Sequence, residues 1–321
     1  MNNDNALLVL RGGFKVSPYL GEKITYIGQL DTYEMGSEIA ARLLHLQISD
    51  TRIFRMTDTV GEASEEWLEE EDLRTVIDED EVVYAQVDGS MILTREVSWK
   101  ETKLGRIFGG RAIHEESDKR KWLKDSEYVA HLGTSESFVE IMSDILDKYE
   151  ERGENLVFIN DGAKWQWNWA TDYYPRATQI LDFYHAMEHI GSYVSLVKKG
   201  EDKSDYLEQI GHTLKHEGLT ACRAMIDRLD GKTATQRAEK AKLDTYLDNN
   251  AERMNYPQYL ARGLLIGSGA IESAHRTVIQ RRMKLSGQRW SIKGASNMLN
   301  LRTLNMSGHW DRVSRYYRNA A

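Results

Sequence analysis

The rhythm of apolar and polar positions changes several times along this chain, and each change predicts a different element. Within residues 6–30, ALLVLRGGFKV and EKITYIGQL are separated by polar and glycine-containing residues and predict a pair of strands or a small hairpin. SEIAARLLHLQISDTRIFRMTDTVGEASEEWL follows a helical period broken near Ile48, Ser49 and Asp50, which predicts a helix-turn-helix with Ser49 or Asp50 capping the second helix. From Glu81 the runs VVYAQV, SMILTREVSW and KETKLGRIFGGRAI predict three consecutive strands of an antiparallel meander. SESFVEIMSDILDKYEERG then places Phe138, Ile141, Met142, Ile145 and Leu146 on one helical face, ended by Gly153. LVFIN predicts a buried strand, ATQIL a fifth strand, and DFYHAMEHIGSYVSLVKK a helix. Residues 201–262 are polar, favour helix and lack strand patterns, so they predict an all-helical insertion before YPQYLARGLLIGSG returns the chain to the core. The resulting expectation is α/β, with a small N-terminal α+β region at 1–81, a core begun at 82–200 and resumed at 263–321, and the insertion between.

Three acids stand out against this pattern. Asp88 follows an apolar run in EVVYAQVDGSM and Asp161 follows another in ENLVFINDGAKW, so both carboxylates are expected at the ends of buried strands. Glu272 opens an otherwise basic helix in GLLIGSGAIESAHRTVIQRRMKLSGQRWSIKGA, with Ser268 as its expected cap and Gly267 and Gly269 allowing a close approach. Alone, an Asp-Gly pair is a routine turn signal. Together the three acids match metal-assisted phosphoryl transfer, in which two Mg²⁺ ions roughly 4 Å apart clamp the attacking and leaving oxygens. Magnesium takes oxygen ligands and keeps several waters, so a few carboxylates suffice.

VDGS, INDGAKW and IGSGAIES, in that order, resemble the DDE transposases of bacterial insertion sequences, particularly families related to the eukaryotic Mutator group. QILDFYHAMEHI resembles the Asp/Cys-x-x-His signature of those families, here Asp182 and His185. The resemblance runs from about residue 82 to the C-terminus. It implies a ribonuclease H-like mixed sheet flanked by helices, with Asp88, Asp161 and Glu272 binding two Mg²⁺, for which Mn²⁺ substitutes. It also implies an accessory role for Asp182 and His185, transposon-end and target DNA as partners, and a homo-oligomer on DNA. Full-length members usually carry more sequence ahead of the core, often a metal-bound DNA-binding region with Cys and His ligands. Here nothing before residue 82 contains paired cysteines and His45 stands alone, so the expectation is a shortened copy or part of a split gene.

Charge sharpens the picture once it is divided along the chain. The net charge is −8, and EASEEWLEEEDLRTVIDEDE at 62–81 is densely acidic. After Glu272 the chain carries ten Lys and Arg residues against only Asp311. Such a stripe is the footprint of a phosphate-contacting face. It nominates Arg276, Arg281, Arg282, Lys284, Arg289 and Lys293 for DNA contact, with Trp290 for stacking or packing. Trp165, Trp167 and Trp169 cannot all face one side of a helix, and core packing is favoured over base stacking for them. No apolar run approaches the roughly 20 residues of a membrane span and the N-terminus lacks a signal-peptide pattern, so the expectation is cytoplasmic. The single cysteine, Cys222, excludes an intrachain disulfide and is expected in the core.

Two rivals follow from the same residues. His185, Glu188 and His189 match the H-x-x-E-H zinc-peptidase pattern, which explains neither Asp88, Asp161 nor the basic tail. The other is a copy that keeps the fold and binds transposon ends without cutting.

Overall fold

The computed structural model describes residues 8–9, 15–68, 77–117 and 120–319. The expected pairing of ALLVLRGGFKV with EKITYIGQL is a correction: strands β1 (Leu8–Val9) and β2 (Lys15–Val16) pair antiparallel within the first run, and the second lies inside helix α1 (Pro18–Leu30). Pro18 occupies the first turn, where a missing N–H costs nothing, and the Ser17 hydroxyl caps the N–H of Leu20. Thr25 is buried with its hydroxyl 2.7 Å from that of Tyr317. Helices α2 (Tyr33–Leu43) and α3 (Asp50–Leu68) follow, broken where expected, with Ser49 Oγ accepting from the N–H of Arg52. Part of the acidic run, residues 69–76, lies outside the described residues.

Strand β3 (Val83–Thr94) merges two expected strands, because VVYAQV, Asp88-Gly89 and SMILT form one extended run. Asp88 therefore sits within a strand, not at its end. β4 (Ser98–Gly109) comes next, and the hairpin β5 (Ile113–Ser117) and β6 (Arg120–Leu123) interrupts before β7 (Glu127–His131). In α4 (Ser135–Leu146) Phe138, Met142, Ile145 and Leu146 are buried, whereas Ile141 is exposed. 3-10 turns continue to Asn155, with Gly153 at φ 55°. The chain then runs through β8 (Leu156–Asn160), α5 (Lys164–Tyr173), β9 (Thr178–Leu181) and α6 (Phe183–Val197). The insertion is helical as expected: α7 (Glu201–His216), α8 (Leu219–Asp227), α9 (Ala234–Asn250) and α10 (Tyr256–Ala261). The last part comprises α11 (Gly269–Ala274), a π-helical turn His275–Gln280, α12 (Arg281–Met283), α13 (Ile292–Met306) and α14 (Asp311–Asn319). The class is mixed α/β and mostly helical, with a five-stranded mixed sheet in the order β7-β4-β3-β8-β9. β4 and β7 run antiparallel, and β8 and β9 parallel.

The chain forms two compact units whose borders differ from those read in the sequence. The first comprises 1–83, 88–148 and 271–321; the second comprises 84–87 and 149–270. In the first unit the N-terminal helices share one core with the C-terminal tail: Ile24, Ile53, Met56 and Val60 pack with Leu301, Leu304, Val313 and Tyr317. The described helices α1 and α3 thus have apolar faces covered by α13 and α14. A second cluster there packs Ile271, Ala274, Val278, Ile279 and Met283 against Ile92, Leu104 and Tyr128. In the second unit α10 is tied to β9, with Tyr256 Oη donating to the Leu181 carbonyl and Tyr259 Oη to that of Gln179. Trp167 and Trp169 are buried in this unit, as packing predicts; Trp169 meets Phe158 edge-on at 5.3 Å. Cys222 is buried, also as expected. Among the described residues no helix is long and apolar enough to cross a membrane.

Candidate functional site

In the first unit Asp88 occupies the point of β3 where burial on both faces gives way to partial exposure. Its Oδ1 accepts the N–H of Gly89 at 2.7 Å, and its Oδ2 lies 3.3 Å from His275 Nε2. His275 is buried, and burial lowers its pKa to about 4, so the imidazole beside Asp88 is neutral near pH 7. Lys284 donates to Ser90, two residues beyond Asp88, and burial lowers its pKa while Asp88 opposes that shift. Glu272 lies in the first turn of α11, exposed, three residues before His275 and therefore on a neighbouring helical position. This unit thus brings together Asp88, His275 and Lys284, with Glu272 on the adjoining turn.

In the second unit Asp161 directly follows β8, as expected, and its Oδ1 accepts the N–H of Ala163 at 3.1 Å. Gly162 between them has φ 106°, a backbone state that L side chains rarely adopt. A Cβ built there would lie 3.6 Å from Asn250 Oδ1 and 3.7 Å from the Tyr246 ring, so α9 of the insertion closes over Asp161-Gly162. The Tyr246 hydroxyl is buried without a hydrogen-bond partner, and burial, with Asp161 and Asp182 adding to it, raises its pKa. Asp182 is buried as the N-cap of α6, accepting the N–H of Tyr184 at 2.7 Å. Ser268 Oγ donates to Asp182. Gly267 does make the expected tight approach, since a Cβ there would lie 2.8 Å from the Tyr184 ring.

His185 is half-buried, with Nδ1 3.5 Å from Glu188 and its ring edge-on to His189 at 5.0 Å. His189 stacks on Tyr246 at 3.8 Å. Among the described residues no group of three or more His, Cys, Asp or Glu stands close enough to hold a metal ion. Chemically, a carboxylate such as that of Asp88 or Asp161 is a hard oxygen donor of the kind that Mg²⁺ prefers.

Sequence reasoning missed His275, Tyr246 and Asn250. Their only signals were a histidine at i+3 from Glu272 and an aromatic and an amide four apart on an insertion helix.

The basic stripe divides on inspection. Arg276, Arg281, Lys284, Arg289 and Lys293 are exposed, and Lys293 Nζ pairs with Glu62 at 2.6 Å. The placement of Arg282 and Trp290 on a solvent-facing stripe is a correction: both are buried, the guanidinium facing the rings of Tyr33 and Trp290 at 4.7 and 5.0 Å. Trp290 Nε1 donates to the Met283 carbonyl at 3.1 Å. They turn inward because Met283 next to Arg282 and Ile279 one turn earlier pack into the core, a constraint that a charge count does not see.

Residues 29–319 match the model of a family described as "Uncharacterised protein family (UPF0236)". The chain is similar to the "UPF0236 protein in vanSb 3'region" of Streptococcus gallolyticus, at 26% identity over 318 residues. That match covers 95% of this chain and 66% of the relative, so the chain spans just under two thirds of the relative's length.

Proposed function

The chain belongs to the UPF0236 family, and we propose that it is the catalytic region of a DDE-type transposase with a ribonuclease H-like core. It would cut one DNA strand at a transposon end and join the released 3′-hydroxyl to target DNA. The observation that carries the reading is a hydrogen bond of the second unit. The Val87 N–H donates to the Asn160 side chain at 3.2 Å, and the next residue after each is a candidate aspartate, Asp88 or Asp161. Gln166 adds a second tie by donating to the Val87 carbonyl at 3.2 Å. These bonds fix the backbone at Val87 and Asn160, the support that a neighbouring metal-binding carboxylate needs.

Asp88, Asp161 and Glu272 would hold two Mg²⁺, with Mn²⁺ as substitute. When bound, these ions supply charge neutralisation at phosphorus and activation of the attacking oxygen. The chain's own residues orient the carboxylates. Neutral His275 stands beside Asp88 Oδ2 without competing as a cation, and Ser268 with the Tyr184 N–H fixes Asp182. Exposed Arg276, Arg281 and Arg289 would meet DNA phosphates, where each contact contributes salt-dependent affinity. No covalent protein intermediate is required.

The test is incubation of the purified chain with transposon-end DNA and Mn²⁺, scoring nicks and strand joining. Asp88→Ala, Asp161→Ala and Glu272→Ala are each expected to abolish cleavage while DNA binding stays measurable. Full strand transfer by Glu272→Ala would overturn the assignment of that helix. Binding without cleavage by the unaltered chain would favour the catalytically silent DNA-binding copy.

A further inference from the structure

A second candidate site lies wholly within the first unit. The loop 284–291 is tied back to β3, with the Trp290 N–H donating to the Leu93 carbonyl at 3.1 Å and the Arg95 N–H to that of Trp290 at 2.8 Å. Beneath this clasp opens a cavity of about 360 Å³. Its walls include the aromatic rings of Tyr33, Phe54 and Trp290 and the guanidinium groups of Arg95, Arg282 and Arg289, and none of its lining residues is acidic. A volume of this size suits a small organic ligand.

Arg282 is the telling residue. It is 1% exposed, and the carboxylate that acts on it is Asp31, through space. Its Nε donates to the Gly28 carbonyl at 3.1 Å and Nη1 to the Gln288 amide oxygen at 3.2 Å, whereas Nη2 has no partner. Neither neighbouring acid is hydrogen-bonded to it: Asp58 accepts from Asn297 Nδ2 at 2.8 Å, and Asp31 accepts the Thr32 N–H at 2.6 Å. Tyr33 offers no counter-charge, since burial keeps its phenol protonated to about pH 12. A buried cation without a directly paired carboxylate is costly, and an anion entering the cavity would offset that cost. Phe54 meets Tyr33 edge-on at 5.4 Å and remains 38% exposed, which leaves ring surface available for a planar group.

We propose that this cavity binds a nucleotide, with the phosphate among Arg95, Arg282 and Arg289 and the base against Tyr33 and Phe54. The choice of nucleotide over other planar anions rests on the proposed DNA partner. The same chemistry is offered by a free mononucleotide and by a residue of a DNA single strand.

Calorimetric titration of the full chain with dTMP, thymidine, inorganic phosphate and a single-stranded dT decamer tests this. dTMP should bind at least tenfold more tightly than thymidine or phosphate. Arg289→Gln and Phe54→Ala, both at exposed positions, should each weaken dTMP about tenfold while far-UV circular dichroism and the unfolding midpoint stay unchanged. Equal binding of phosphate and dTMP would leave a simple anion site, and equal binding of thymidine an apolar cleft; either result overturns the proposal. So would the absence of dTMP binding, or binding that ignores both substitutions. A decamer weakened in parallel with dTMP identifies the source as a DNA strand, and a decamer unaffected by the substitutions identifies it as free nucleotide. Asp161→Ala separates the two readings. If it abolishes nicking while dTMP binding ignores Arg289→Gln, the cavity proposal alone fails. If dTMP binds as expected but Asp161→Ala nicks normally, the catalytic reading alone fails.

Discussion

Arg302 is a cation turned inward, 3% exposed on α13. Its Nε donates to the Val278 carbonyl at 3.1 Å, Nη2 to that of Thr277, and Nη1 to the carbonyl and side chain of Gln29 at 3.2 and 2.7 Å. Thr277 and Val278 belong to the π-helical turn that continues the Glu272 helix, so this guanidinium braces that turn. Burial lowers its pKa to about 10, which leaves it charged at neutral pH. Arg302→Met should strip several buried carbonyls of their donor and cost about 3 kcal/mol or more in urea unfolding. Cys222 offers a second check. Burial pushes its thiol up to about 12, so it should react with a thiol reagent only after denaturation. Individual residues were unevenly legible in the sequence. The three acids and Asp182 stood out because each follows an apolar run or opens a helix. Arg282 and Arg302 were misassigned to a solvent-facing stripe because charge sums carry no information about which way a side chain points.

At the scale of elements, periodicity identified the helices of 201–262, β8, β9 and the break before α3, because those segments bury one continuous face. It failed where two faces mattered. EKITYIGQL, expected as a strand, buries Ile24, Thr25 and Ile27 from helix α1, and β3 was divided at Asp88-Gly89 because that dipeptide usually marks a turn. Strand β3 carries it through since Gly89 faces Glu101, whose Oε1 would lie 2.4 Å from a Cβ there. Helix contacts give a prediction of unusual sign. In an exposed helix Gly→Ala gains about 1 kcal/mol. Gly61 in α3, however, is so close to α13 that a Cβ would lie 2.5 Å from the Asn297 carbonyl oxygen, which is backbone and cannot rotate away. Gly61→Ala should therefore destabilise by about 1–3 kcal/mol, read as a lowered Tm.

For the molecule as a whole, the order of residues in the chain is not the order of folding units, since the second unit borrows Tyr84–Val87 from a strand otherwise counted with the first. Those four residues are bound into it by several hydrogen bonds. Gln86 Nε2 donates to the Gly267 carbonyl at 3.2 Å, and the Leu265 N–H donates to Tyr84 Oη at 3.2 Å. A fragment of residues 149–270 alone should therefore leave one edge of β8 bare and fail to give a cooperative thermal transition by circular dichroism. The passage of β3 through Asp88 has a further consequence for inheritance. Successive side chains of a strand point to opposite faces. An in-frame loss of one codon between Val83 and Val87 would keep the protein readable yet turn the carboxylate to the opposite side, so short indels tolerable in the turns of the helical insertion are closed to this strand.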